Sequence, residues 1–425
     1  MARVMNSEPL LIGEASEMLG VSIDTVRRWE KKGLIRAQRG EHGERRFDRK
    51  SLHALASKGA HTGKWKVLRA DRSTLNSIEL FCGAGGLALG MDNAGFKHEL
   101  LVDFDQSSIE TVAANRPKWN MKLDSVTDID LHEYRDKVDV MAGGFPCQAF
   151  SYAGSGRGFG DARGTLFFEF ARLIDQVRPR LVIGENVRGL VAHDHGRTLQ
   201  TMVGMLTDLG YTVRYSLLRS QFLDVPQKRE RLVIFALRNI EDSPIVFPSE
   251  KNYLVPLREA LADVPASAGA SYPPEKHRIL AQIPPGGYWR DLPMSDQEKY
   301  MGGSFHLPGG KTGMARRLSW DEPSLTLTCS PAQKQTERCH PAETRPLSVR
   351  EYARIQTFPD NWQFSGSVAS QYRQIGNAVP VNLGYHIGLA ARAILGQPAK
   401  RAAARSELVE VEPRLVQLQL DNLAA

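Results

Sequence analysis

From residue 77 onward, short apolar runs alternate with helix-length stretches, and no other feature limits the possible folds of this chain as strongly. The apolar runs are SIELFC (77–82), HELLVDFD (98–105), VDVMAGG (138–144), RLVIGEN (180–186), YTVRYSLL (211–218) and RLVIFAL (231–237). Stretches at about 86–95, 107–116, 165–177 and 197–209 carry helical spacing between several of them. Strands alternating with helices predict an α/β domain with a doubly wound, mainly parallel sheet. Ligands of such sheets bind beyond the carboxyl ends of the strands, so the residues that end each run are where chemistry is expected.

Four segments stand there. In Phe81–Gly86 (FCGAGG) the glycines let backbone approach a ligand at a helix N-terminus, although many short glycine loops are purely structural. Asp103 follows 18 residues after Gly85, near the spacing at which an acid binds ribose hydroxyls. Together these point to a nucleoside-containing cofactor. In Gly144–Gln148 (GFPCQ), Cys147 is a candidate nucleophile on a loop restrained by Pro146; the plainer reading is a buried inert thiol. Glu185 in Glu185–Val187 ends the next strand. If the two strands are neighbours, Cys147 and Glu185 enter one cleft, and a thiolate beside a carboxyl group suits addition to a ring carbon with proton transfer to a ring nitrogen. The plainer reading of Glu185 is a helix cap. In Pro226–Arg231 (PQKRER), Gln227, Arg229 and Arg231 alternate, so an extended segment puts all three on one face, suited to a polar ring or a phosphate.

In order along the chain stand FCGAGG, GFPCQAFS, ENV, QKRER, RPLSVREYARIQTFPD and QIGNAVP. With these signatures the sequence resembles the bacterial DNA (cytosine-5)-methyltransferases of restriction–modification systems over about residues 77–392. The resemblance implies a Rossmann-like, S-adenosylmethionine-dependent methyltransferase fold at 77–238, completed by 345–396. It implies a smaller target-recognition domain at 239–344, leaving 397–425 as a tail. S-adenosylmethionine would sit on Phe81, Gly83 and Gly85, with Asp103 on the ribose and Asp124 near the adenine. Phe145 and Pro146 would line the same pocket, and Asn377 would close it. Cys147 would attack C6 of cytosine and Glu185 would contact N3. Arg229 and Arg231 would hold the base and the catalytic loop, with Gln227 in support. The thiolate is the active form of Cys147, and nearby arginine favours it. A base within a duplex must be flipped out for this chemistry. Ser151–Gly164 (SYAGSGRGFGDARG) would be the loop that closes over it, with Ser151 and Arg163 as DNA contacts. Lys311, Arg316 and Arg317 are the expected DNA contacts of the recognition domain. The related branch that methylates transfer RNA leaves RNA as a competing substrate, which the recognition region and the N-terminal module argue against.

The net charge of +7 is concentrated at one end. Residues 1–72 hold 16 Lys and Arg against 9 Asp and Glu, and the rest of the chain is balanced. A basic module ahead of a neutral body suggests a nucleic-acid anchor. In LLIGEASEMLG, Leu11, Ala15 and Leu19 fall at helical spacing; a second helix over about 22–32 ends at Gly33. LIRAQRGEHGERRF reads as a basic hairpin, and a short helix follows at about 49–57. This pattern resembles the winged helix-turn-helix domain of the mercury-resistance regulator (MerR) and excisionase families over about residues 9–57, which implies such a domain at 1–57. The resemblance implies Thr25, Arg27 and Arg28 in the major groove and Arg45 and Arg46 on phosphates. It suggests a regulator of the protein's own promoter or of a linked endonuclease; a non-specific DNA anchor is the alternative. The families' long dimerisation helix is missing, because 58–76 reads as a short polar linker, so a dimer through this module stays an open expectation.

Four cysteines are too few for a disulfide framework, and no apolar run approaches the roughly 20 residues of a membrane helix. A reducing cytoplasm is the expected compartment. Cys329, Cys339 and His340 have neither a CxxC pair nor a fourth ligand, so no metal is expected.

Overall fold

The computed structural model describes residues 9–19, 26–27, 29–30, 35–40, 43–48, 52, 63–146, 166–238, 244–306, 311–399 and 408–410. Thr25, Arg28, Cys147, Ser151 and Arg163 lie outside the described residues.

The N-terminal module contains β1 (Leu10–Leu11), α1 (Ile12–Leu19), β2 (Ala37–Arg39) and β3 (Arg45–Phe47). The strands form an antiparallel sheet in the order β1-β3-β2, with Ala37 opposite Phe47 and Arg39 opposite Arg45. The basic hairpin expected from the sequence is thus present, closed by a turn in which Gly43 donates to the Gly40 carbonyl at 2.9 Å. Ala15, Val26, Trp29, Ile35, Phe47 and Leu52 form its buried core. Leu11 departs from expectation. Leu10 and Leu11 are extended and pair with β3, so strand alternation buries Leu10 and leaves Leu11 45% exposed rather than on the helix's apolar stripe.

The body is built from β4 (Asn76–Leu80), α2 (Gly86–Asn93), β5 (Lys97–Asp103), α3 (Gln106–Asn115), β6 (Met121–Leu123), β7 (Val140–Gly143), α4 (Leu166–Val177), β8 (Leu181–Val187), α5 (Arg197–Asp208), β9 (Tyr211–Arg219), β10 (Gln227–Lys228) and β11 (Glu230–Arg238). Seven strands form one sheet in the order β6-β5-β4-β7-β8-β11-β9. All neighbours are parallel except at β11, which runs antiparallel to both β8 and β9. The chain winds outward from β4 to β6, then crosses back to β7. The switch point therefore lies between β4 and β7, where a ligand is expected in this architecture.

Both faces of the sheet are covered. On one, α4 buries Phe167, Phe170, Leu173, Ile174 and Val177 against β4, β7 and β8, each contributing about 1.5–3 kcal/mol relative to exposure. The other is completed by the end of the chain, which adds β12 (Val246–Pro248), β13 (Ser324–Leu325), α6 (Val349–Ile355), α7 (Val368–Asn377), α8 (Val381–Ile394) and β14 (Leu408–Glu410). Helix α8 lies against α2 so closely that a Cβ at Gly90 would stand 2.6 Å from the Gly384 backbone. Only glycine permits that approach.

Three boundaries differ from the sequence expectation. Ile245, Phe247 and Leu257 pack into the body's cores, so the body keeps residues assigned above to the recognition domain. A separate small core begins beyond them, around Ile279, Leu280, Trp289, Leu292 and Met314. Within the tail, β14 pairs antiparallel with β12, Val409 opposite Phe247. Residues 63–75, read as polar linker, are hydrogen-bonded along the body, and Leu75 is buried within it.

Candidate active site

The loop after β4 is shaped by left-handed backbone. Phe81, Gly83 and Gly85 have φ of 57°, 51° and 81°. Gly85 caps α2 in a conformation that a larger side chain adopts only with strain. Asp103 ties this loop to the neighbouring strand: its Oδ2 accepts the Gly83 N–H at 2.7 Å and its Oδ1 accepts the Asp105 N–H at 2.9 Å. Burial raises the pKa of this carboxyl group, and the two N–H bonds offset part of the rise. Beside it Phe104 is 74% exposed, an aromatic face turned to solvent at the carboxyl edge of the sheet. Sequence reasoning passed over Phe104, although its place directly after the strand-ending acid was the available signal.

The remaining residues expected around this loop divide. The Asp124 amide donates to the Asp103 carbonyl at 3.0 Å, while its carboxylate turns to Lys122 and is held below the usual range by that partner. The Phe145 ring is buried, 4.9 Å from Phe167 and 5.7 Å from Phe170, while Pro146 is exposed. The Phe145 carbonyl accepts from Asn186 Nδ2 at 2.9 Å, which fixes the loop leading to Cys147 from the next strand. Asn186, central in ENV, is a second residue whose role the sequence did not disclose.

Strand β8 delivers Glu185 and β11 delivers Arg231. Glu185 Oε1 lies 2.7 Å from Arg231 Nε, and both residues are at least nine-tenths buried. Burial lowers the Arg231 pKa and the carboxylate opposes that shift. Gly144 faces the other oxygen: a Cβ there would come within 3.2 Å of Glu185 Oε2. The two residues flanking Cys147 on its N-terminal side are thus held by Asn186 or exposed, and the loop before them abuts Glu185.

Alternation in QKRER is as expected. Gln227, Arg229 and Arg231 are buried, whereas Lys228 and Glu230 turn outward to pair with Glu322 and Arg188. The destination of Arg229 differs from expectation. Its guanidinium donates to the carbonyls of Leu327 (3.2 Å), Gly376 (3.0 Å) and Ala378 (3.2 Å), and burial brings its pKa down to about 9. It binds two chain segments together at the wall of the cleft. Gln227 reinforces the same joint, accepting from the Leu327 N–H at 2.9 Å and donating to Gln356 Oε1 at 2.8 Å.

A cleft of about 540 Å³ opens beside this joint, lined among others by Arg188, Lys228, Arg229, Arg231, Cys329 and Asn377. Asn377 Oδ1 accepts the Cys329 thiol at 3.0 Å, so its side chain serves this cleft. Its neighbours Ala378 and Val379 are the ones that abut the glycine loop, at Gly86.

The expected DNA contacts also divide. Arg317 is a correction: it is buried, and its guanidinium donates to the carbonyls of His340, Glu343 and Leu280 and to Thr344 Oγ1 as an internal strut. Lys311 turns its ammonium back to the Ser304 and Phe305 carbonyls. Arg316 lies half-buried over the Tyr288 ring at 5.8 Å. On the wing, Arg45 pairs with Glu30 at 2.7 Å and Arg46 with Glu44 at 2.8 Å, while Arg27 is exposed on the second helix. Cys339 and His340 are occupied locally, the thiol by the Glu343 carbonyl and His340 Nδ1 by the Ala342 and Glu343 amides.

Comparison with known proteins adds the following. The family profile described as C-5 cytosine-specific DNA methylase matches residues 75–392, and that of the MerR family regulatory proteins matches residues 11–47. The Type II methyltransferase M.Eco47II of Escherichia coli is 50% identical over 410 residues, covering 93% of this chain and 98% of its own length. M.PspPI of a Psychrobacter species is 48% identical over 390 residues, 88% of this chain and 94% of its own. Among solved structures, DNMT2 of Spodoptera frugiperda superimposes with a TM-score of 0.55 at 16% identity, over 76% of this chain and all of that one. That likeness concerns the fold. Among the described residues no helix is long and apolar enough to cross a membrane.

Proposed function

This chain belongs to the C-5 cytosine-specific DNA methylase family, and on that premise we propose how its residues share the work and what its first module does. The enzyme is a DNA (cytosine-5)-methyltransferase of Type II restriction–modification character, and its cofactor is S-adenosylmethionine. The residues suit that cofactor. The left-handed loop exposes backbone at the start of α2, Asp103 keeps an acceptor carboxylate beside it, and Phe104 offers an uncovered ring to a purine. When bound, the cofactor supplies an activated methyl group on a sulfonium.

The observation that carries the division of roles is the buried contact of Glu185 with Arg231 at the rim of the cleft. A flipped cytosine enters this cleft, and Cys147 adds to C6 as a thiolate. Glu185 meets N3 through a proton and stabilises the charge that the addition places there. Arg231 holds Glu185 Oε1 and so directs Oε2 toward the base. Carbon 5, made nucleophilic by that addition, would take the methyl group and leave S-adenosylhomocysteine behind; its proton would then pass to solvent water, the C6–S bond would break, and Cys147 would depart as the thiolate. Arg229 and Gln227 keep the wall of the cleft in register with the GNAVP segment. Bisulfite sequencing of DNA from cells expressing the protein tests this reading. It should show 5-methylcytosine at one recurring duplex sequence, absent with Cys147→Ala; methylation retained in that variant would sink the mechanism.

Such modification would protect DNA from a cognate endonuclease. The N-terminal module binds an operator and adjusts transcription of the system, which its MerR-like match and localised charge support. Retardation of promoter fragments by the full protein should be sequence-specific. Binding without sequence preference, with a steep salt dependence, would support the anchor reading instead.

A further inference from the structure

Residues 63–75 precede the first strand of the catalytic sheet and contact four parts of the body. Gly63 donates to the Leu254 carbonyl at 2.9 Å. Trp65 donates its indole N–H to the Arg354 carbonyl at 2.8 Å, and the Arg354 guanidinium lies 4.9 Å over its ring. Further on, Ala70 donates to the Asn93 carbonyl and Arg392 donates to the Asp71 carbonyl.

The centre of this strap is Asn382, fully buried in the first turn of α8. Its Oδ1 accepts the Leu68 N–H at 3.0 Å, and its Nδ2 donates to the Lys66 carbonyl at 2.8 Å. A side-chain amide thus pairs with the strap as a neighbouring strand would. The same Nδ2 donates to the Asp224 carbonyl at 2.9 Å. Asp224 has a left-handed backbone (φ 58°), which a residue other than glycine adopts only when its surroundings hold it. It is held at both ends. Asn382 takes the carbonyl, while His386, Tyr253 and Lys251 meet the carboxylate. Two residues later begins the segment that carries Gln227, Arg229 and Arg231.

We propose that Asn382, clasped between residues 66–68 and Asp224, is a positioning residue for Pro226–Arg231, and that the strap is therefore part of the catalytic unit. An error in Asp224 is transmitted along a short extended segment to Arg229 and Arg231, and through Arg231 to Glu185. The inference rests on the assignment of Arg231 to the base pocket.

The test uses the full-length protein. Asn382→Asp keeps the oxygen that accepts from Leu68 and removes both N–H donors. Trp65→Phe keeps the ring and removes its one donor, and serves if the buried carboxylate prevents folding. Lys97→Ala, which breaks a surface ion pair with Glu99 outside the strap, is the control. In the first two variants kcat should fall on the order of ten- to a hundredfold, since small misplacements near a reacting centre cost that much. The dissociation constant for S-adenosylhomocysteine should stay within about twofold, because the cofactor loop is untouched, and the control should match the wild type. Retained kcat in a folded variant overturns the proposal. So does a fall in kcat that is matched by the loss of cofactor affinity or shared by the control. Arg231→Ala, measured alongside, judges the pocket assignment separately: if it retains kcat, that assignment fails whatever Asn382 shows.

Discussion

Glu185 and Arg231 meet at 2.7 Å although they approach on strands of opposite direction, one at the end of β8 and the other at the start of β11. Removing the arginine leaves a nearly buried carboxylate without its cation, a loss of about 3–5 kcal/mol for such pairs. Arg231→Ala should lower the urea midpoint of the body and reduce single-turnover methylation, whereas Glu185→Gln should keep the fold and lower kcat by about 10²–10⁴. Equal rates for Glu185→Gln and wild type would remove Glu185 from the chemistry.

Asp103 predicts a pH dependence of cofactor binding. Burial raises its folded pKa, so as pH falls the carboxyl group takes up a proton earlier than an ordinary aspartate does. Protonation removes an acceptor that ribose hydroxyls would use. Affinity for S-adenosylhomocysteine should therefore decline on acidification from a pH above the usual aspartate range. Asp103→Asn should bind weakly and without that dependence; titrations across pH on both proteins decide it.

Asp224 predicts the opposite behaviour in stability. Burial alone would raise its pKa, but the bonds from His386 and Tyr253 and the Lys251 ammonium bring it well below the usual value. A depressed folded pKa contributes stability that is present above about pH 4 and lost as pH falls further. Asp224→Asn should cost about 3–5 kcal/mol at neutral pH. The gap between variant and wild type should narrow below about pH 4 in denaturant titrations.

The contact between α2 and α8 has no room for a methyl group. Gly90→Ala would drive its Cβ into the Gly384 backbone, and overpacking of this kind costs about 1–3 kcal/mol. A lower melting temperature with an unchanged cofactor dissociation constant is the expected result. A wild-type melting temperature would mean that the helices separate freely.

On the wing, Arg45→Ala together with Arg46→Ala should weaken operator retention, while methylation of a substrate duplex stays within about twofold. A parallel loss of both activities would contradict separate DNA contacts.

The sheet was legible because its strands are buried on both faces and end in distinct polar segments. Period-two alternation alone separates the inner face of QKRER from Lys228 and Glu230. The same logic could not say where a buried arginine goes. Arg229 finds carbonyls about 98 to 149 residues away, and Arg317 finds carbonyls 23 to 37 residues away; no local pattern encodes such partners. Trp65 looked like part of a polar linker because its acceptor lies 289 residues onward. Phe104 was missed for the converse reason: exposure of an aromatic ring depends on what fails to cover it, and apolar spacing alone carries no record of that.

The reversed direction of β11 separates two edges of the sheet. Its entry lies at the edge where Glu185 stands, and its exit at Arg238 lies at the far edge, ahead of β12. A change of length directly after Arg238 therefore enters the sheet at the edge opposite the Glu185–Arg231 contact, on a strand that still carries both ends of the architecture.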